Sequence, residues 1–333
     1  VPHRSPAVRL AGGLLLMVGL ILAIAIAASF AGAEVHALDS VAHFRLHLAV
    51  LAALVGVALL LARRWIGALV ACAGAALGLA TTLPFVLPAE PAPASGAVYT
   101  MLQMNLRYDA PDHAPAIRAI AEMRPDIVTL QEVTREWRDS FQTLEAAYPY
   151  QHYCGTYGDG GTAILSRRPF VSPGITLCRP MDGLATRTID FNGRRVVVSA
   201  LHLDWPWPRT QWREVRRLEP ILPKLPAPTL LGGDFNAAPW SASVGTVAEA
   251  AGARIVPGIG PSFMLAALPA VPADLFGLPI DNILASREIR VVEMRTLAPT
   301  SSDHLPVLLR FTIADDAPDP AAPARVAESV NAN

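Results

Sequence analysis

Asn105, Glu132, His202, Asp234, Asn236, Asp281, Asp303 and His304 share one local setting: each stands within, at the end of, or just before a short apolar run. Carboxylate and amide oxygens bind hard divalent cations, and imidazole moves protons near neutral pH. Taken singly, each residue has an ordinary use. Asn105 or Glu132 can cap a strand end, Gly233-Asp234 with Asn236 can form a turn, Ser302-Asp303 can act as a helix-type cap, and His202 can be a satisfied core histidine. The recurrence points to chemistry, because side chains of this kind at strand after strand mark a sheet edge that carries a site.

The runs themselves read as strands. Val98 to Met104 ends at Asn105, and Asp126 to Leu130 ends in Gln131-Glu132. Val196 to Ala200 leads into Leu201-His202-Leu203, and Thr229 to Leu231 leads into Gly232-Gly233-Asp234-Phe235-Asn236. Pro279 to Leu284 contains Asp281-Asn282, and Ser302-Asp303-His304 precedes a last run, Leu305 to Phe311. Helical spacing over Asp112 to Met123, Thr134 to Ala146 and Arg209 to Leu222 separates these strands.

At these residues the chain resembles the endonuclease/exonuclease/phosphatase superfamily of metal-dependent phosphoesterases, which includes deoxyribonuclease-like and sphingomyelinase-like members. The segments that carry the resemblance are Met104-Asn105-Leu106-Arg107, Leu130-Gln131-Glu132-Val133, Gly161 to Arg167, Leu201-His202-Leu203, Gly233-Asp234-Phe235-Asn236, Ile280-Asp281-Asn282-Ile283 and Ser302 to Pro306, in the family's order. The resemblance implies an α/β fold, a two-sheet α/β sandwich with helices outside, and a site where strand ends from both sheets meet. It further implies that Glu132, Asn105 and Asp303 hold Mg²⁺ or Mn²⁺, and that Asp234 activates the attacking water. Asn236 then bonds the phosphate or the water, His202 and His304 contact the scissile phosphate, and Asp281 fixes the tautomer of His304. Asn282 departs from the family, which more often has an aromatic there. Hydrolysis of a phosphate ester needs a positioned water, positive charge on the equatorial oxygens and a proton for the leaving oxygen, and this set offers a candidate for each.

Composition divides the chain. Hydrophobic residues make up 52% of it and charged residues only 17%, more apolar than a water-soluble chain needs, and the excess lies before residue 88. Three transmembrane helices are expected, over about 10–30, 44–62 and 65–87. A cleaved signal peptide would account for the first run alone, but two further apolar runs follow it. Arg4 and Arg9 precede the first, and Arg63-Arg64 separates the second from the third, while Glu34 and Asp39 lie between the first two. Positive residues stay inside, so the N-terminus is expected in the cytoplasm and everything after residue 88 outside, in an integral protein of the plasma or inner membrane. Residues 88–97 read as a Pro/Ala linker, 98–313 as the phosphoesterase domain and 314–333 as a disordered tail.

Within 97–313, Lys and Arg equal Asp and Glu in number, a balance that argues against an obligate nucleic-acid binder, whose affinity comes mainly from clustered positive charge, though a local patch can sit within a neutral total. The expected partners are a phosphate-ester substrate and membrane lipid, with no protein partner implied. A lipid head group or small phosphate ester is the first substrate class, an extracytoplasmic nuclease the alternative, and a domain that only binds the third reading. Cys154 and Cys178 either pair in an oxidising compartment or remain thiols. Trp205 and Trp207 either grip substrate or membrane or pack on the following helix, the reading preferred here. Gly158-Asp159-Gly160-Gly161 lacks a lysine and reads as a turn, and Arg107 and Arg187 as solvated surface residues.

Overall fold

The structure is a computed structural model that describes residues 6–88, 96–155, 158–264 and 277–314. The expected tail from 315 onward and most of the Pro/Ala linker lie outside the described residues. The chain opens with four helices, α1 (Pro6–Ala28), α2 (His36–Ala42), α3 (Arg45–Leu61) and α4 (Trp65–Val86). Small residues let α1, α3 and α4 pack closely: a Cβ on Gly56 would meet Cys72 Sγ at 2.6 Å, and one on Gly78 would meet Ala49 Cβ at 2.6 Å.

Of the three expected spans, two are met outright among the described residues. Two helical stretches, Arg9–Ala31 and Trp65–Val86, are long and apolar enough to cross a membrane. The middle one, α3, has 17 residues and is bent by 63° from α2, so it reaches a third span only if the bent pair counts as one. The reason is chemical. Asp39 and Arg45, at the start of that stretch, are buried in contacts with the domain that follows, so the chain turns there instead of running straight.

The remainder forms β1 (Tyr99–Asn105), α5 (Ala114–Met123), β2 (Ile127–Val133), α6 (Arg135–Ser140), β3 (Tyr150–Cys154), β4 (Gly161–Ser166), β5 (Thr176–Arg179), β6 (Leu184–Phe191) and β7 (Arg194–His202). It continues with α7 (Gln211–Leu218), β8 (Thr229–Asp234), α8 (Ala242–Ala250), β9 (Arg254–Ile255), β10 (Asp281–Ala285), β11 (Ile289–Thr296) and β12 (Val307–Ile313). Two six-stranded sheets result, in the orders β11-β12-β1-β2-β4-β3 and β5-β6-β7-β8-β10-β9. Met101, Ile127, Ile164, Val198, Leu230 and Leu309 fill the space between them, while α5 and α6 cover the outer face of the first sheet and α7 and α8 that of the second. This is the expected α/β sandwich.

Register places the polar strand ends together. At the centre of each sheet lies one parallel pair, with Asn105 opposite Gln131 in β1 and β2, and His202 opposite Asp234 in β7 and β8. Asp281 pairs with Asp234 across the antiparallel β8 and β10. The sheets approach closely beside Asp234 because Gly232 lacks a side chain, where a Cβ would run into Met101 Cε of the opposite sheet; Gly233 instead clears the backbone of its neighbour strand at Leu201.

The α2 segment docks on the second sheet's helices. Asp39 accepts the backbone N–H groups of Ala242 at 2.7 Å and Ser243 at 3.0 Å, and the indole N–H of Trp212 at 3.2 Å. Its carboxylate therefore sits on the first turn of α8, where free N–H groups and the helix dipole favour an anion. Trp240 Nε1 donates to Ala42 O at 2.6 Å, Arg45 donates to Trp240 O at 3.3 Å, and His36 stacks on Trp212 at 4.6 Å.

Candidate active site

The acidic part of the site is built around Asn105. Its Nδ2 donates to Glu132 Oε1 at 2.8 Å from the same sheet and to Asp234 Oδ2 at 2.9 Å from the opposite one. Its Oδ1 accepts the Arg107 N–H at 2.9 Å, so one amide ties both sheets together. Glu132 reaches this position through a bulge: the register of β2 against β4 shifts between Leu130 and Val133, and Glu132 takes φ 58°. Bulges re-aim side chains next to sites in this way. Arg107 and Asn236 also adopt left-handed backbone, at φ 59° and 48°, so three strained non-glycine residues flank one cluster.

Three nitrogens surround one oxygen, and one of them donates to it. Asp234 Oδ2 lies 2.9 Å from Asn105 Nδ2, 3.6 Å from His304 Nε2 and 3.7 Å from His202 Nε2. Burial and the neighbouring Asp281 push the Asp234 carboxyl above the usual range, against the opposing charges of His304 and His202 and the Asn236 N–H. His202 Nε2 is also 4.0 Å from Glu132 Oε1. Asn236 donates from its backbone to Asp234 Oδ1 at 2.8 Å and from Nδ2 to Leu203 O at 2.8 Å, while its buried Oδ1 has no partner among the described residues.

His304 is buried and oriented. Its Nδ1 lies 2.8 Å from Asp281 Oδ2, and Asp281 Oδ1 accepts Gln103 Nε2 at 2.7 Å. Burial alone would lower the imidazole, but the charges of Asp281 and Asp234, the bond to Asp281 and the charge of Asp303 outweigh it and hold it at about 10. It therefore carries its proton at neutral pH.

Among the described residues, two groups of ligand atoms lie within 4.8 Å of one another, Glu132 with His202 and Asp234, and Asp234 with Asp281 and His304. Asp303 belongs to neither, yet it stands beside them, since its charge raises both His304 and Arg107. The structure thus gathers Asn105, Glu132, His202, Asp234, Asn236, Asp281 and His304 at one edge of the sandwich, with Asp303 at the margin. Two carboxylates, an amide and a buried, unpartnered amide oxygen are a donor set that fits a hard divalent cation.

Trp205 and Trp207 are half-exposed rather than buried; Trp205 meets Phe263 edge-on at 5.8 Å, and Phe263 lies 5.0 Å from the His304 ring. Arg107 pairs with Asp109, and Arg187 lies over Phe170 at 4.3 Å. Cys154 and Cys178 form a disulfide between β3 and β5, the edge strands of the two sheets. Gln103, unmarked in the sequence reading, is fully buried in β1, and its only sequence signal was a polar residue inside an apolar strand.

The profile described as the Endonuclease/Exonuclease/phosphatase family matches residues 102–304. Among solved structures, an endonuclease/exonuclease/phosphatase from Beutenbergia cavernae is 23% identical, with a TM-score of 0.51 over 65% of this chain and 72% of that one. An AP endonuclease from Archaeoglobus fulgidus is 20% identical, with a TM-score of 0.53 over 65% and 100%. A humanized D. rerio TDP2 is 19% identical, with a TM-score of 0.53 over 65% and 99%. No curated protein matches the chain.

Proposed function

The chain belongs to the Endonuclease/Exonuclease/phosphatase family, hydrolases that act on phosphoester bonds, and from that membership we propose that it cleaves the phosphate ester of a lipid head group or small phosphoester at the extracytoplasmic membrane face. The observation that carries the reading is the convergence of Asn105, His202 and His304 on Asp234 Oδ2, with Glu132 alongside.

Glu132, Asn105 and Asp303 would hold Mg²⁺ or Mn²⁺, and such an ion supplies positive charge to the phosphate oxygens. The Asn105 amide oxygen, which accepts the Arg107 N–H in this structure, would be the atom that residue offers to the ion. Asp234, when ionised, accepts a proton from the attacking water, and the Asn236 amide positions that water or a phosphate oxygen. His304, held protonated by Asp281 and Asp234, donates to a phosphate or leaving-group oxygen, with His202 across from it. Water attacks phosphorus, the leaving alkoxide gains a proton, and no covalent enzyme intermediate is needed.

The membrane placement draws support from the two long apolar helices, from the Asp39 contact that seats the domain on the helix segment, and from a disulfide suited to an oxidising compartment. The test is a screen of the full chain against phospholipids, nucleotides and single-stranded or plasmid DNA, with Mg²⁺ or with EDTA. Metal-dependent release of a lipid head group supports the proposal. Digestion of DNA with no lipid turnover replaces it with an extracytoplasmic nuclease, and no turnover of any ester leaves a binding domain.

A further inference from the structure

A cavity of about 600 Å³ lies where the helices meet the hydrolase domain. Leu46, Val50 and Leu54 form one wall, a stripe at four-residue spacing running about 12 Å along α3 from its domain end. The opposite wall belongs to the domain, where Trp240, Val256 and Ile259 are buried. Phe85, in the last turn of α4, closes one end, and the backbone N–H of nearby Gly258 donates to Phe85 O at 2.8 Å.

Three observations identify what fits there. First, the lining is almost wholly apolar, and the volume falls within the range of about 300–1,000 Å³ that suits a ligand rather than a packing defect. Second, Val50 and Leu54 remain about half-exposed or more, so the cavity opens along a helix whose neighbour α4 is long and apolar enough to cross a membrane; with the helices in a bilayer, the medium on that side would be hydrocarbon. Third, its polar side chains are His47, near the domain end of α3, and Asn282, and each has a buried atom, His47 Nδ1 and Asn282 Oδ1, without a partner among the described residues. An apolar slot with polar groups at the domain end matches a lipid tail whose ester or hydroxyl end points toward the domain.

We propose that this cavity is a binding site for the hydrocarbon tail of a membrane lipid, entered sideways from the leaflet between α3 and the domain. The proposal rests on the reading that the helices lie in the bilayer. The site is separate from the catalytic cluster but adjoins it: Asp281 and Asn282 point to opposite faces of β10, and Asn282 Nδ2 donates at 2.8 Å to Ala237 O, one residue beyond Asn236. A tail seated here would bring its head group to the base of the hydrolase domain.

The test uses the full chain in vesicles of phosphatidylethanolamine and phosphatidylglycerol with a trace of phosphatidylcholine bearing a diazirine at the end of one acyl chain, photolysed and mapped by mass spectrometry. Label is expected on Trp240 or on Val256 to Ile259, domain residues that bulk lipid around the outer helix faces does not reach. Leu51→Trp, which fills the cavity from the helix side, should cut that label about tenfold while label on α1 is unchanged. Val50→Phe provides a second filling variant, and the wild-type map stands without either. Label restricted to outer helix faces, or domain-wall label that both variants leave intact, overturns the proposal. Absence of label from α1 and α4 as well removes the bilayer placement itself, and the tail site with it.

Discussion

His304 Nδ1 lies 2.8 Å from Asp281 Oδ2, and both side chains are buried at the edge where the two sheets meet. An imidazole held at about 10 when folded, against 6.5 ordinarily, binds its proton more tightly in the folded state. Its contribution to stability is therefore complete below pH 6.5 and is lost as pH rises through about 10. Asp234, also raised, acts in the same direction. In protein stripped of divalent ions, the unfolding midpoint should fall between about pH 7 and pH 10, and Asp281→Asn should flatten that fall. A midpoint constant across the window in wild type would remove the raised imidazole from the account.

Gln103 acts on His304 only through Asp281, by the 2.7 Å bond to Oδ1. Gln103→Met keeps the volume and removes the donor, so kcat should drop about 10- to 100-fold with KM nearly unchanged, as for other groups that orient a reacting residue. The pH–rate profile separates this from a packing defect, because a freed Asp281 carboxylate moves the imidazole's titration and a cavity does not. Loss of rate with an unmoved profile would leave Gln103 a purely structural residue.

Glu132→Gln keeps the hydrogen-bonding shape beside Asn105 but removes the one charge delivered by the β2 bulge. Divalent-dependent hydrolysis of a chromogenic phosphodiester should fall by at least about 10²-fold, and calorimetric Mn²⁺ binding should weaken in parallel. Turnover and binding equal to wild type would move the ion elsewhere.

The sandwich and the strand-end cluster were legible because both are written locally. Apolar runs of strand length end in Asn105, Glu132, His202 and Asp234, and parallel pairing carries such ends to one edge whatever the loops do. Gln103 was not legible, since a buried polar residue within a strand reveals its use only once Asp281 lies opposite. Asp39 was read for its charge in a loop between apolar runs. Its partner Ala242 is 203 residues away, and no local pattern reports that. The shortening of α3 follows from the same long-range contact, and the exposure of Trp205 and Trp207 depends on a loop direction that composition does not encode.

Cys154 and Cys178 join the edge strands of the two sheets across 24 residues of chain. Closing a loop of that length stabilises a folded domain by about 3 kcal/mol, largely through the unfolded chain. Cys154→Ser with Cys178→Ser should therefore lower the unfolding midpoint by roughly 5–10 °C. Reductant added to wild type should do the same, and should do nothing to the double variant. A wild-type midpoint indifferent to reductant would mean that the pair does not close in the protein as made.

Asp39 is fully buried and accepts three hydrogen bonds from the hydrolase domain, two of them from the first turn of α8. Asp39→Ala leaves those N–H groups facing a gap, at a cost of about 2–3 kcal/mol; Asp39→Asn, which keeps one acceptor oxygen, should cost less. The catalytic cluster does not touch Asp39, so hydrolysis of a small soluble phosphodiester should stay near wild type in Asp39→Ala. If the proposed lipid substrate is right, its hydrolysis in vesicles should depend instead on how the domain is seated over the helices, and should drop several-fold as the seat loosens. Equal losses on both substrates would point to general destabilisation. Equal retention would show that the Asp39 contact is dispensable for presenting the site to the membrane.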